Sequence, residues 1–248
     1  MEAKVKSLDK ALRVLNCFTP EEPELGISEL SRRLDLYKSN VHSIVTTMEK
    51  NGFIEKNETT GRYRLGLGVM RLAHVVTSGQ GGQRIIHRFV RELSEEVDEI
   101  VYFGVRWHHA VMYLEGAYPD RVYNLRWGAG MVAPLTCTGI GKAILAFSED
   151  RVIDDVLSRP IDRFTDATIT DPGKLRDELQ TIRTRGYSTD NMEHEYGVKC
   201  VGVPVFNRNN ELVGAFSSTG PSLRFSDNRI PALAKMLKEK ALALRNSL

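Results

Sequence analysis

Between Arg185 and Val205 the sequence RGYSTDNMEHEYGVKCVGVPV places Asp190, Glu193, His194, Glu195 and Cys200 within eleven positions, then runs into an apolar stretch. Three chemistries are open to such a set. With Cys200 as nucleophile and His194 as its base it would be a thiol active site. Against that, Cys200 lies inside an apolar run, where a thiol stays protonated and inert, and the chain carries no nucleophile elbow or oxyanion motif. With Cys137 added, Asp190, His194 and Cys200 form a zinc-competent set, although no local spacing brings them together. As a recognition surface, Asp190 would bond a ligand hydroxyl or orient a backbone amide. Cys200 would then be a small wall, Ser217 and Thr219 hydrogen-bonding partners, and Glu193, His194 and Glu195 a solvated loop or a subunit contact.

These groups sit in a chain of 248 residues with 42% hydrophobic and 27% charged residues, a composition that folds throughout and a length that suits two modest domains. No apolar run approaches the roughly 18 to 20 residues of a membrane span, and the N-terminus MEAKVKSLDKALRVL is charged rather than signal-like. Cys17, Cys137 and Cys200 form no CxxC pair, which excludes a zinc ribbon or finger and fits a reducing compartment. The expectation is a cytoplasmic protein without membrane contact or cofactor. The net charge of +2 falls within the first 71 residues, a modest pointer to a polyanion partner there.

In that first third, SLDKALRVLNCF sets Leu8, Leu12 and Leu15 at helical spacing, with Ala11 and Phe18 beside them and Ser7 as cap. After the loop PEEPELG, ISELSRRLDL predicts a short helix from Ser28 with Leu30 and Leu34 inward and Arg32 and Arg33 outward. Ser39 then caps a third helix, whose Val41, Ile44, Val45 and Met48 make one apolar face and which Asn51-Gly52 ends. Its opposite face, Asn40, His42, Ser43, Thr46 and Thr47, is small and polar, as a major groove admits. FIEKNE and RYRLGL flank the turn TTG as two short strands, with Arg62 beside the tip, where a guanidinium can enter a narrow minor groove. Three helices and a basic hairpin give the order of a winged helix-turn-helix, with the third helix as reader. The candidate DNA contacts are Lys38, Ser39, Asn40, His42, Ser43, Thr46 and Arg62.

From Gly66 the chain turns helical, with Leu67, Met70, Ala73 and Val76 on one stripe, and GQGG breaks it before QRIIHRFVRELSEEV. IVYFGVRW, AVMYLEGAY and RVYNLRW read as consecutive antiparallel strands. GIGKAILAF is a helix opened by glycines, where the amides of Gly139 and Ile140 can hold a carboxylate, although such glycines also serve close packing. TDPGKLRDELQTIRTRG is a helix with Asp171 as cap, Pro172 first, Leu175, Leu179 and Ile182 inward and Gly186 last. VKCVGVPVF and ELVGAFSST form a hairpin around NRNN, Cys200 sharing a face with Gly202 and Pro204, and Ser217 with Thr219. A final helix runs from Asp227 to about Asn246.

The stretch GISELSRRLDLYKSNVHSIVTTMEKNGFIEKNETTGRYRLG resembles the N-terminal domain of IclR-type bacterial transcription regulators. APLTCTGIGKAILAF, RGYSTDNMEHEYGVKCVGVPVF and LVGAFSSTGPSLRFSD resemble three blocks of that family's effector-binding domain, in the same order. The resemblance covers essentially the whole chain. It implies a helical linker, a GAF-like C-terminal domain, dimers that pair into tetramers, and operator binding modulated by a small metabolite. It also implies that Gly139, Ile140, Asp190, Cys200, Ser217 and Thr219 line the effector cavity, with apolar cover near Val122, Leu125 and Ala133. Two positions depart from the family pattern: Ser43 stands where Arg is common, and Thr136 or Cys137 where His is frequent.

The expected fold is thus two-domain α+β: a winged helix-turn-helix over 1–66, a helical linker over 67–83, and a GAF-like α/β effector-binding domain with an antiparallel sheet over 84–248. The expected function is that of a ligand-responsive, non-enzymatic regulator, a homodimer or tetramer on a roughly palindromic double-stranded operator. Its effector would be an organic or sugar-derived acid. The rivals are a zinc-binding variant with Cys137, Asp190, His194 and Cys200 as ligands, and a metabolite-sensing interaction protein that does not touch DNA.

Overall fold

The computed structural model describes residues 4–78, 81–119 and 128–247. The chain divides into two compact units, Met1–Gln80 and Gly81–Leu248. The first contains α1 (Lys6–Leu15), α2 (Ile27–Leu34), α3 (Lys38–Lys50), the strands β1 (Ile54–Lys56) and β2 (Tyr63–Leu65), and α4 (Gly68–Ser78). Val14, Leu30, Leu34, Val41 and Val45 pack with Leu25, Ile54 and Tyr63 in one core, and Leu25 exchanges both backbone hydrogen bonds with Tyr63 at 2.9 Å. The interhelical loop is thereby tied to the hairpin, as a wing requires.

The helix starts differ from expectation. Ser7, Ser28 and Ser39 lie inside their helices, which begin after Val5, Gly26 and Tyr37. At α2 the Gly26 N–H donates to Glu29 Oε2 at 2.7 Å, the reciprocal half of a capping box, and the helix starts one residue before Ser28. The inward stripe of α1 is also corrected. Leu8 and Leu12 are more than half exposed, while Val14 is fully buried, because α1 meets α2 and α3 along the face that carries Val14. On α4, Met70 and Val76, with Leu67 just before it, are likewise exposed.

The second unit contains α5 (Gly81–Val97), β3 (Ile100–Trp107), β4 (Ala110–Ala117), β5 (Val132–Pro134), α6 (Gly139–Ala146), α7 (Asp150–Leu157) and α8 (Pro172–Arg185). It continues with β6 (Ser188–Asn191), β7 (Val198–Phe206), β8 (Leu212–Pro221), a 3-10 turn at Ser222–Arg224 and α9 (Arg229–Arg245). Six antiparallel strands form one sheet in the order β5-β4-β3-β8-β7-β6. Side chains of α6, α7 and α8 make the core on one face, and those of α5 and α9 the core on the other. The expected strand RVYNLRW, with Val122 and Leu125, lies outside the described residues.

Helix α8 follows its local signals: Asp171 Oδ1 accepts from Lys174 N–H at 2.8 Å, Pro172 leads, and Gly186 ends it at φ +76°. At the edge of the α5/α9 core the fully buried carboxylate of Glu99 takes Arg224 at 2.5 Å and Arg229 at 2.8 Å, while Lys240 reaches from α9 to Glu92 and Glu96 of α5 at 3.2 and 2.7 Å. A carboxylate with no solvent is costly unless paired in this way.

Candidate functional site

Two surfaces carry the residues singled out above. On α3, Lys38, Ser39, Asn40, His42, Ser43 and Thr47 are exposed and Thr46 is half-buried. Within that face runs a ladder of four-residue steps. Ser43 Oγ donates to Ser39 O at 3.0 Å, Thr47 Oγ1 to Ser43 O at 2.8 Å, and Asn51 Nδ2 to Thr47 O at 2.7 Å. Arg62 does not stand free at the wing tip. Its guanidinium donates to Glu24 O at 2.9 Å and pairs with Glu29 Oε2 at 2.8 Å, so it braces the wing against the start of α2. The tip is shaped by Asn57, whose Oδ1 accepts from the amides of Thr59 and Thr60.

The second surface is a cavity in the second unit, built on two rows that cross the sheet. Register puts Asp190, Cys200, Thr219 and Ile100 side by side on β6, β7, β8 and β3, and Ser188, Gly202, Ser217 and Tyr102 side by side two residues further along. Above them α6 begins, capped by Thr138, whose Oγ1 accepts from Gly141 N–H at 3.0 Å. The glycines let this helix start lie against the strand. A Cβ on Gly139 would come within 2.8 Å of Cys200 Cβ, and one on Gly202 would overlap the Gly139 carbonyl. Ser188 Oγ donates to that same carbonyl.

Between helix start and sheet is a cavity of about 30 Å³, roughly the share of one water. It is lined by Ile100, Tyr102, Tyr113, Thr138, Gly139, Ile140, Asp190, His194, Glu195, Val198, Cys200, Ser217 and Thr219. The structure therefore brings together six of the nine expected ligand residues. Ala133 is buried on β5 but is not among the lining residues, and Val122 and Leu125 are outside the described residues. Tyr102, Tyr113, Ile100 and Thr138 went unnoticed in the sequence. Only the strand register, which joins β3 to β8, places the two on β3 beside Ser217 and Thr219.

The polar groups of the wall bond one another. Thr219 Oγ1 donates to Cys200 Sγ at 3.4 Å, Cys200 Sγ to Asp190 Oδ2 at 3.6 Å, and Glu193 N–H to Asp190 Oδ1 at 2.7 Å. Burial pushes Asp190 up to about 7, against the Glu193 amide and Lys142, which favour its charged form. Burial also lifts Cys200 well above the ordinary thiol range, Cys137 to about 12, and both Tyr102 and Tyr113 above theirs, and it lowers His194. A thiol so held favours its protonated, weakly nucleophilic form near neutral pH. For the zinc reading, among the described residues no three His, Cys, Asp or Glu side chains are placed to hold one metal ion. Glu193 is corrected outright: it is not in a solvated loop but buried, with Oε1 at 2.5 Å from the Nζ of the equally buried Lys142.

Asp190 sets a pH dependence whose sign is unusual for a carboxylate. The unfolded chain ionises it near its ordinary 3.8 and the folded one only near 7, so raising pH through that window favours unfolding, and the cost is complete above it. Asp190→Asn should therefore raise the melting temperature little at pH 4 and most at pH 8. Thermal melts of both proteins across that range check it; a gain that shrinks with rising pH would contradict the burial argument.

A winged helix-turn-helix, joined in one chain to a sheet domain holding a small polar cavity, is the layout of a one-component transcription regulator. The chain belongs to the IclR family: the model for the bacterial transcriptional regulator IclR C-terminal domain matches residues 75–246 and that for the IclR helix-turn-helix domain residues 7–58. It is a DNA-binding transcriptional regulator with a C-terminal effector domain. Among its relatives is the HTH-type transcriptional regulator KdgR of Escherichia coli, 32% identical over 96% of this chain and 90% of that protein. An IclR transcriptional regulator from Silicibacter sp. TM1040 superposes with a TM-score of 0.87 at 28% identity, over 97% of this chain and 95% of its own. An IclR homolog from Microbacterium hydrocarbonoxydans, solved with 4-hydroxybenzoate, gives 0.82 at 25% identity, covering 97% and 98%. Among the described residues no helix is long and apolar enough to cross a membrane.

Proposed function

We propose that this regulator binds a roughly palindromic operator and that a small organic or sugar-derived acid changes that affinity by entering between α6 and the sheet, where the cavity, with room here for about one water, widens to admit it. The observation that carries the reading is the row of Asp190, Cys200 and Thr219 with Ser217 behind it, facing the N-terminus of α6. Helix-start amides favour an anion, and the row offers hydroxyls, a thiol and a carboxyl for its remaining polar groups. The relative solved with 4-hydroxybenzoate supports an acid as the class of ligand. Val122, Leu125 and Ala133 belong to this proposal as apolar cover. The effector acts only by binding the DNA-competent and incompetent arrangements unequally. A metabolite library screened by thermal shift, with hits tested for altered DNA retardation, examines the reading; a library in which no acid moves either quantity would sink it.

The operator's symmetry follows from a homodimer, or a tetramer made of two. Leu8 and Leu12 of α1, Leu67 just before α4, and Met70, Leu72, Val75 and Val76 along it are all exposed by 49% or more, an apolar surface that a second copy would cover. Two recognition helices would then enter successive major grooves. Lys38, Ser39, Asn40, His42, Ser43 and Thr46 are assigned to DNA, while Arg62 acts through the wing it braces. Replacing Asn40 and Thr46 together by Ala should abolish sequence-specific retardation, at about 1–3 kcal/mol per lost base contact, with an unchanged circular dichroism spectrum. Retained specificity would remove the assignment of this face.

A further inference from the structure

Lys142 is only 1% exposed and still faces a carboxylate, Glu193, that is 8% exposed. Such a pair adds little stability over apolar residues of the same volume; what it can supply is a fixed geometry. Here the geometry is that of one turn between β6 and β7, in which Met192 holds φ at +60°. Thr165 Oγ1 donates to Met192 O at 2.7 Å and Thr168 Oγ1 to Glu193 O at 2.6 Å, and both threonines are buried. Glu193 Oε2 is buried without a hydrogen-bond partner, so the side chain is not placed by saturating its own bonds. Lys142 fixes its other oxygen. The backbone N–H of the same residue then holds Asp190 Oδ1, and Asp190 Oδ2 takes the thiol of Cys200.

We propose that Lys142 and Glu193 are positioning residues for the cavity: their ion pair fixes the turn that orients Asp190 toward Cys200, and with it the carboxyl and thiol that the cavity presents to its ligand. Neither residue lines the cavity. The inference rests on reading that cavity as the effector site and extends the site to the two residues that set its wall. Lys142 also lies 4.0 Å from Glu178 Oε1, which Arg185 holds at 2.8 Å, so a neutral residue at 193 does not leave the ammonium without a carboxylate.

The test uses the full-length protein and the S–H stretching band of Cys200, isolated by subtracting the spectrum of Cys200→Ala. Lys142→Met/Glu193→Leu removes both charges at similar volume, and Glu193→Gln removes one while keeping the backbone amide. Wild type should show the lowered frequency of a donating thiol. In the double variant the band should move toward that of a free thiol, and in Glu193→Gln part of the way. Leu244→Ala, which destabilises the α9 core on the other face of the sheet, should leave it in place. A free-thiol band in wild type, or a wild-type band in both 193 variants, would overturn the proposal, and if the double variant does not fold the Gln variant decides alone. Because no ligand enters the measurement, failure of the effector reading would show separately, as metabolites that never alter DNA binding.

Discussion

Lys142→Met is expected to lower the stability of the second unit by about 3–5 kcal/mol, the usual cost of removing one partner from a buried ion pair. Met follows the path of the lysine stem through the α6 core, so packing changes little. What changes is Glu193, already with one buried oxygen lacking a hydrogen bond and now without its cation. Part of the loss can be relieved by protonation, since burial already raises the Glu193 carboxyl against Lys142's pull, so the deficit should be smaller at pH 5 than at pH 8. The double variant Lys142→Met/Glu193→Leu should recover most of it, because an apolar pair of equal volume pays no desolvation. Urea unfolding followed by circular dichroism measures all three proteins. A single variant as stable as wild type would mean that water reaches the pair.

Gly202→Ala should be nearly as damaging by a different route. The added methyl would overlap the backbone carbonyl of Gly139, which cannot turn aside without moving the start of α6, and would crowd Ser188 Oγ, which donates to that carbonyl. Helix α6 must then lift from β7. Overpacking of this kind costs about 1–3 kcal/mol and more where backbone is the obstacle. The same substitution at Gly61, which has φ +67° and no atoms near its missing Cβ, isolates the backbone strain alone and should cost less. Melting curves of the two variants compare them directly, and ligand binding at the cavity should fail only for Gly202→Ala.

What could be read from the sequence was local. The cap Asp171, the leading Pro172 and the closing Gly186 fix α8 within sixteen residues, and the inward faces of α2 and α3 follow from spacing. Spacing also showed that Leu8 and Leu12 share a face, but not that the fold would leave that face bare. Arg62 is held by a carbonyl 38 residues away, and Glu193 by an ammonium 51 residues away. An acidic cluster beside a histidine reads as solvated when its cation cannot be seen. The cavity was legible where the resemblance supplied positions; Ile100 and Tyr102 joined it only through the pairing of β3 with β8.

The clasp at Glu99 bears on how the molecule is made. Arg229 closes onto it across 130 residues, and Lys240 reaches Glu92 across 148, so the first and last helices of the second unit meet only when nearly the whole chain exists. Contacts of that separation slow folding and postpone it. On the ribosome, β3, β4 and α5 emerge long before β8 and α9 can cover them, with Val101, Phe103, Leu93 and Val90 open to other chains in the interval. Truncation within α9 should therefore lower soluble yield well beyond what the lost contacts alone would cost.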